Sequence, residues 1–78
     1  MQTTLELLGK VSDSDKKRIL ENLAILENVW KISVHTHLAQ VSFEYITWAD
    51  IKLVRRELQE MGYHIINDTQ NLDTSHPH

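Results

Sequence analysis

Two amphipathic helical segments, each set between stretches that alternate apolar and polar residues, predict an α+β sandwich with two helices on one face of a four-stranded antiparallel sheet. The order of the pieces is the third observation. Strand-helix-strand followed by strand-helix-strand is the split βαβ, or ferredoxin-like, arrangement, in which the strands lie in the order 4-1-3-2 and the other sheet face is open to water.

Residues 3–8 read as the first strand, with Leu5 and Leu7 on one face and Thr4, Glu6 and Leu8 on the other. Gly9 ends it. Across residues 16–27 the apolar positions Ile19, Leu20, Leu23, Ala24 and Leu26 recur at steps of three and four, which predicts a helix with one buried stripe. Residues 32–38 alternate Ile32, Val34 and Thr36 against Ser33, His35 and His37, and Val41, Phe43 and Tyr45 alternate against Ser42 and Glu44, so the two runs read as a hairpin. Thr47-Trp48-Ala49-Asp50 has the form of a capping box, opening a helix whose stripe is Ile51, Val54, Leu58 and Met61. Gly62 supplies a left-handed stop. Residues 63–66 form a short last strand, which gives one domain over residues 1–67 and a polar, aperiodic tail over residues 68–78.

A chain of 78 residues holds one small core, and 41% apolar against 24% charged residues is the balance of a folded globule. Eleven acidic against eight basic residues give a net charge of -3, which leaves no footprint for nucleic acid. The one basic cluster, Lys16-Lys17-Arg18, is short and reads as a solvated face or a protein-docking patch. With no cysteine there is no disulfide frame, no thiolate metal site and no cysteine nucleophile. The start MQTTLELLGK lacks the pattern of a secretory leader, and no run approaches the ~20 apolar residues that span a bilayer. A cytoplasmic domain without membrane insertion is the expectation.

The run TLELLGKVSDSDKKRILENLAILENVWKISVHTHLAQVSFEY, followed by ADIKLVRRELQEMGYHI, resembles the heavy-metal-associated domain family of small copper chaperones and amino-terminal modules of metal-pumping P-type ATPases. In that family a strand ends in Gly-Met-Thr-Cys-x-x-Cys, the second cysteine opens a helix, and a valine starts the next strand. The stretch between Gly9 and Val29 matches this spacing without a gap, and EMGYHI matches the usual Gly-Tyr-x-Val ending. Carried over residue by residue, the methionine falls on Lys10, the threonine on Val11, and the two cysteines on Ser12 and Asp15. The resemblance thus implies a vestigial metal loop at Lys10, Ser12 and Asp15. Copper(I) prefers soft thiolates, and a hydroxyl and a carboxylate are hard ligands with poor affinity for it. As local structure, Ser12 and Asp15 have the spacing of a reciprocal helix cap, with Asp13 adding negative charge to the first turn.

Four residues are candidate ligands for a divalent transition metal such as zinc, nickel, cobalt or copper(II). His35 and His37 stand two apart on one strand face, and Asp15 and His64 fall at the same end of the domain. A zinc site takes three or four protein ligands, so either pair needs further donors, with Glu44 on the adjacent strand one source. His76 and His78 lie in the tail. Trp30 and Trp48 are expected to plug the far end of the core, because a large aromatic gains most by burial; partner anchoring is the competing role. On the open face Leu8 and Ile66, bordered by Glu6 and His64, form a candidate contact surface. No nucleophile with a neighbouring base and no phosphate-cradling loop is present, so no catalytic residue is expected.

These readings converge on a noncatalytic domain that has lost its thiolate site and works through a protein partner. A metal transporter or another domain of the same type is the partner that the resemblance implies. The alternative is a divalent-metal carrier or sensor built on histidine and aspartate.

Overall fold

The structure is a computed structural model and describes residues 1–70. The chain folds as β1 (Gln2–Leu7), α1 (Asp13–Leu23), β2 (Val29–His35), β3 (Gln40–Tyr45), α2 (Trp48–Glu60) and β4 (Ile65–Gln70). The sheet order is β2-β3-β1-β4, which is the expected 4-1-3-2 counted from the other edge, and every pairing is antiparallel. This is the ferredoxin-like sandwich.

Alternation fills the core as the sequence requires. Leu5, Val41, Phe43 and Val34 turn inward to meet Ile19 and Leu23 of α1 and Ile51, Val54 and Leu58 of α2, all buried. Both helices start on reciprocal caps, and Gly62, at φ +100, takes the left-handed conformation that stops α2.

Boundaries differ from expectation at three places. Helix α1 begins and ends earlier, because Ser12 is its N-cap and the chain turns after Leu23 with the Leu26 amide returning to the Leu23 carbonyl at 3.1 Å. Strand β4 runs on to Gln70, so the first residues assigned to the tail pair with β1, Thr3 opposite Gln70; residues 71–78, with His76 and His78, lie outside the described residues.

Strand β2 begins at Val29, where the family pattern places it, rather than at Ile32. Val29 and Val34 both face the core although they stand an odd number of residues apart, which strict alternation forbids. A bulge resolves the conflict. The register passes from Trp30 opposite Glu44 to Ser33 opposite Ser42, so that two residues of β2 face one of β3, and Lys31 absorbs the kink at φ +53.

The same parity decides Trp30. With Val29 turned inward opposite Tyr45, Trp30 points to the open face and is 42% exposed, not part of the core. Trp48 is also outside the core, 63% exposed at the first position of α2. The far end of the core is closed by Asp50 instead. Buried at 4% exposure, it takes hydrogen bonds on Oδ2 from the Ile46 and Thr47 amides, at 3.1 and 2.7 Å, and on Oδ1 from the Asn28 amide group at 3.4 Å. A polar knot occupies the place where two large aromatic rings were expected.

Candidate functional site

Three connections meet at the opposite end: the β1–α1 loop, the β2–β3 hairpin and the turn from α2 into β4. Backbone bonds clamp them together. The Leu7 amide donates to the Ala39 carbonyl at 2.7 Å, and the Leu8 amide to the His64 carbonyl at 2.9 Å. Gly9, at φ +91, turns the chain into the loop, and Val11 is buried at its base.

On that base Ser12 and Asp15 form a closed set. The Asp15 amide donates to Ser12 Oγ at 3.1 Å, while the Ser12 amide and Ser12 Oγ both donate to Asp15 Oδ2 at 2.9 Å. The remaining carboxylate oxygen, Oδ1, accepts the Tyr63 hydroxyl at 2.6 Å and stands 3.9 Å from the Arg18 guanidinium. Tyr63 comes from the turn before β4, so the bond ties the start of α1 to the last strand. These contacts hold the Asp15 carboxyl at about 2, the Tyr63 hydroxyl contributing most, then the Ser12 amide and Ser12 hydroxyl, against the opposing effect of burial. The Tyr63 hydroxyl is pushed up from its ordinary value, first by burial and then by its bond to the Asp15 carboxylate.

The chemical character of the loop follows from this wiring. Its donors are oxygens already engaged with protons: Asp15 Oδ2 accepts two bonds from Ser12, and a cation at Oδ1 competes with or shares that oxygen with the Tyr63 hydroxyl. A serine hydroxyl and an aspartate carboxylate are hard donors, which fit copper(I) poorly. Lys10 is exposed and lines a shallow cleft of about 430 Å³ with Val11, Ser12, Asp13, Thr36 and His37.

The histidines are distributed rather than gathered. His35 closes β2 opposite Gln40, but His37 lies in the hairpin turn, past the reach of strand alternation. His37 lines the cleft beside Lys10, whereas His35 lines a second cleft with Lys16, Leu20 and Ser33. Tyr63 reaches Asp15, while His64, next in the chain, is exposed. Among the described residues no group of three or more histidine, aspartate or glutamate side chains is placed to hold a metal ion. Leu8 and Ile66 are both exposed at the β1–β4 seam; the direct pairs there are Leu7 with Ile65 and Glu6 with Asn67, which leaves Ile66 as the extra residue of a second irregularity. Among the described residues no helix is long and apolar enough to cross a membrane.

Sequence reasoning missed Tyr63 as the partner of Asp15. The signal was faint but present: Gly62-Tyr63 and the Gly9 loop fall at one end of the predicted topology, and a tyrosine hydroxyl beside a carboxylate is a natural donor.

No protein-family model and no curated protein sequence matches the chain. Solved structures do. The CsoZ metallochaperone superposes with a TM-score of 0.77 at 21% identity, covering 86% of this chain and 97% of that one. Oxidized MerP from Ralstonia metallidurans CH34 gives 0.73 at 17% identity, covering 90% and 97%. The N-terminal domain of PacS from Synechocystis PCC6803 gives 0.70 at 20% identity, covering 86% and 98%. TM-scores of 0.70 to 0.77 with near-complete coverage of each neighbour agree across these comparisons, and the chain therefore has the ferredoxin-like fold of heavy-metal-associated metallochaperones and P-type ATPase amino-terminal domains, with serine and aspartate where the resemblance puts cysteines.

Proposed function

We propose that this chain is a noncatalytic domain of the heavy-metal-associated type that has lost its thiolate site and acts through protein contacts in cytoplasmic metal homeostasis or transport. The observation that carries the reading is the closed set at the loop: Asp15 accepts from Ser12 through Oδ2 and from Tyr63 through Oδ1. A loop wired in this way is a rigid surface feature rather than a ligand cage. The fold shared with metallochaperones supports the link to metal handling. The surface around the loop, exposing Lys10, Lys16 and Lys17, supports a protein as the partner, a metal transporter or a second domain of this type being the candidates.

The test is a metal titration of the full chain followed by amide and imidazole NMR shifts, with copper(I), zinc, nickel and cobalt in turn. The expected result is no site-localised shift at Ser12, Asp15, His35, His37 or His64 at micromolar metal. The Ser12→Cys/Asp15→Cys double variant, which restores two soft ligands on the same backbone, is expected to take up one copper(I). Submicromolar divalent binding centred on His35 and His37, or on Asp15 and His64, overturns the reading in favour of a metal carrier or sensor.

A further inference from the structure

The second cleft, of about 300 Å³, continues the first. One wall of the pair is residues 32–37 in unbroken sequence: His35 ends the lining of the second cleft, and Thr36, bonded to it, begins that of the first. The other wall is α1 and the loop before it, with Lys10 and Asp13 on the first cleft and Lys16 and Leu20 on the second. Asp13, Lys16 and Leu20 follow at steps of three and four, so they stand in one row along the helix. The two clefts thus form a single shallow trough between α1 and β2. Its floor is apolar, with Val11 and Val34 buried and Leu20 and Ile32 packed against the core. Strand β2 is a border strand of the sheet, so along the trough part of its backbone faces away from β3.

We propose that this trough takes a short, extended, acidic segment of a partner protein, its backbone along β2 and its carboxylates toward the lysines of the opposite wall. This occupant gives the protein partner of the proposed function its chemistry and rests on that reading. Shape and charge select it. A wall of consecutive strand and turn residues matches about six residues of extended chain, and a strand border bonds to a polypeptide backbone along its length. Lys10 and Lys16 are exposed on the trough, with Lys17 exposed next in the chain, and among the described residues none of the three has an ion-pair partner. The nearby acids are already answered. Asp13 stands in the first turn of α1, where the amide end of the helix balances it, and Asp15 is held by Ser12 and Tyr63 with Arg18 beside it. That same helix end opposes Lys16, so the charge left over is positive and an anionic partner relieves it. The bulge at Lys31 ends the straight part of the border, which keeps the pairing to one short segment.

The experiment is an amide NMR titration of the full chain with a short acetylated peptide of alternating valine and glutamate, beside the same peptide with lysine for glutamate and a short oligothymidylate. The expected result is that the glutamate peptide alone binds, less tightly as salt is raised, with shifts confined to residues 10–20 and 32–37. Lys10→Glu/Lys16→Glu is expected to weaken it by about tenfold or more. Ser33→Trp, which fills the second cleft from an exposed position, abolishes it, while Lys52→Glu, on α2 and outside the trough, leaves it unchanged. Far-UV circular dichroism checks that the variants fold. No shift with the glutamate peptide, equal binding of the lysine peptide or the oligothymidylate, or shifts centred away from the trough overturns the proposal. Such a failure strikes the choice of partner alone, whereas the proposed function falls to submicromolar metal capture by the histidines and Asp15.

Discussion

At Asp15 one carboxylate serves two elements, with Oδ2 closing the cap on α1 and Oδ1 holding Tyr63 at 2.6 Å. Its folded value of about 2 lies below the ordinary carboxylate value of 3.8. A depressed carboxylate contributes stability above its unfolded pKa and loses it as pH falls toward the folded one, so this contribution is present at neutral pH and fades on approach to pH 2. Tyr63→Phe removes the largest cause of the depression. The variant is expected to show an Asp15 carboxyl that titrates at higher pH by carbon-detected NMR. Its stability deficit in urea, clear at neutral pH, narrows as pH falls through that window. Asp50 is depressed in the same direction, chiefly by the Thr47 amide and against its own burial, and adds to the loss in acid. The two caps were legible because a cap is written in four consecutive residues. The Tyr63 bond joins residues 48 positions apart and was not, since it depends on how the turn before β4 meets α1.

Among the elements, β2 departs most from what alternation alone dictates. Its inward residues, Val29 and Val34, have odd spacing, and that spacing is the sequence trace of the bulge. Reading the strand from Ile32 hid it. The misplacement of the tryptophans has the same origin. Size argued for burial, but Val29 took the inward position beside Trp30, and the Asp50 knot closed the end beneath Trp48. Lys31 holds a left-handed backbone that costs a residue with a Cβ about 1 kcal/mol. Glycine adopts that conformation freely. Lys31→Gly is therefore expected to raise the urea midpoint, with a gain of up to about 1 kcal/mol, while Lys31→Val lowers it.

For the molecule as a whole, 78 residues imply a folding free energy of roughly 4–12 kcal/mol. Leu58 is fully buried in the stripe of α2, and Leu58→Ala is expected to cost about 2–5 kcal/mol, enough to leave a large unfolded population on mild heating followed by circular dichroism. The architecture was readable from the sequence because every inward position of β1, β3 and both helices obeys its period. The wiring of the loop was less readable, since it rests on the Asp15 and Tyr63 side chains, brought together only by the finished fold. One consequence reaches beyond the single molecule. Strand β2 lies at the border of the sheet, and its left-handed Lys31 twists the row of amides and carbonyls that a straight border would offer to a passing chain. Crowded solutions of this protein are thereby steered away from cross-β ribbons and fibrils.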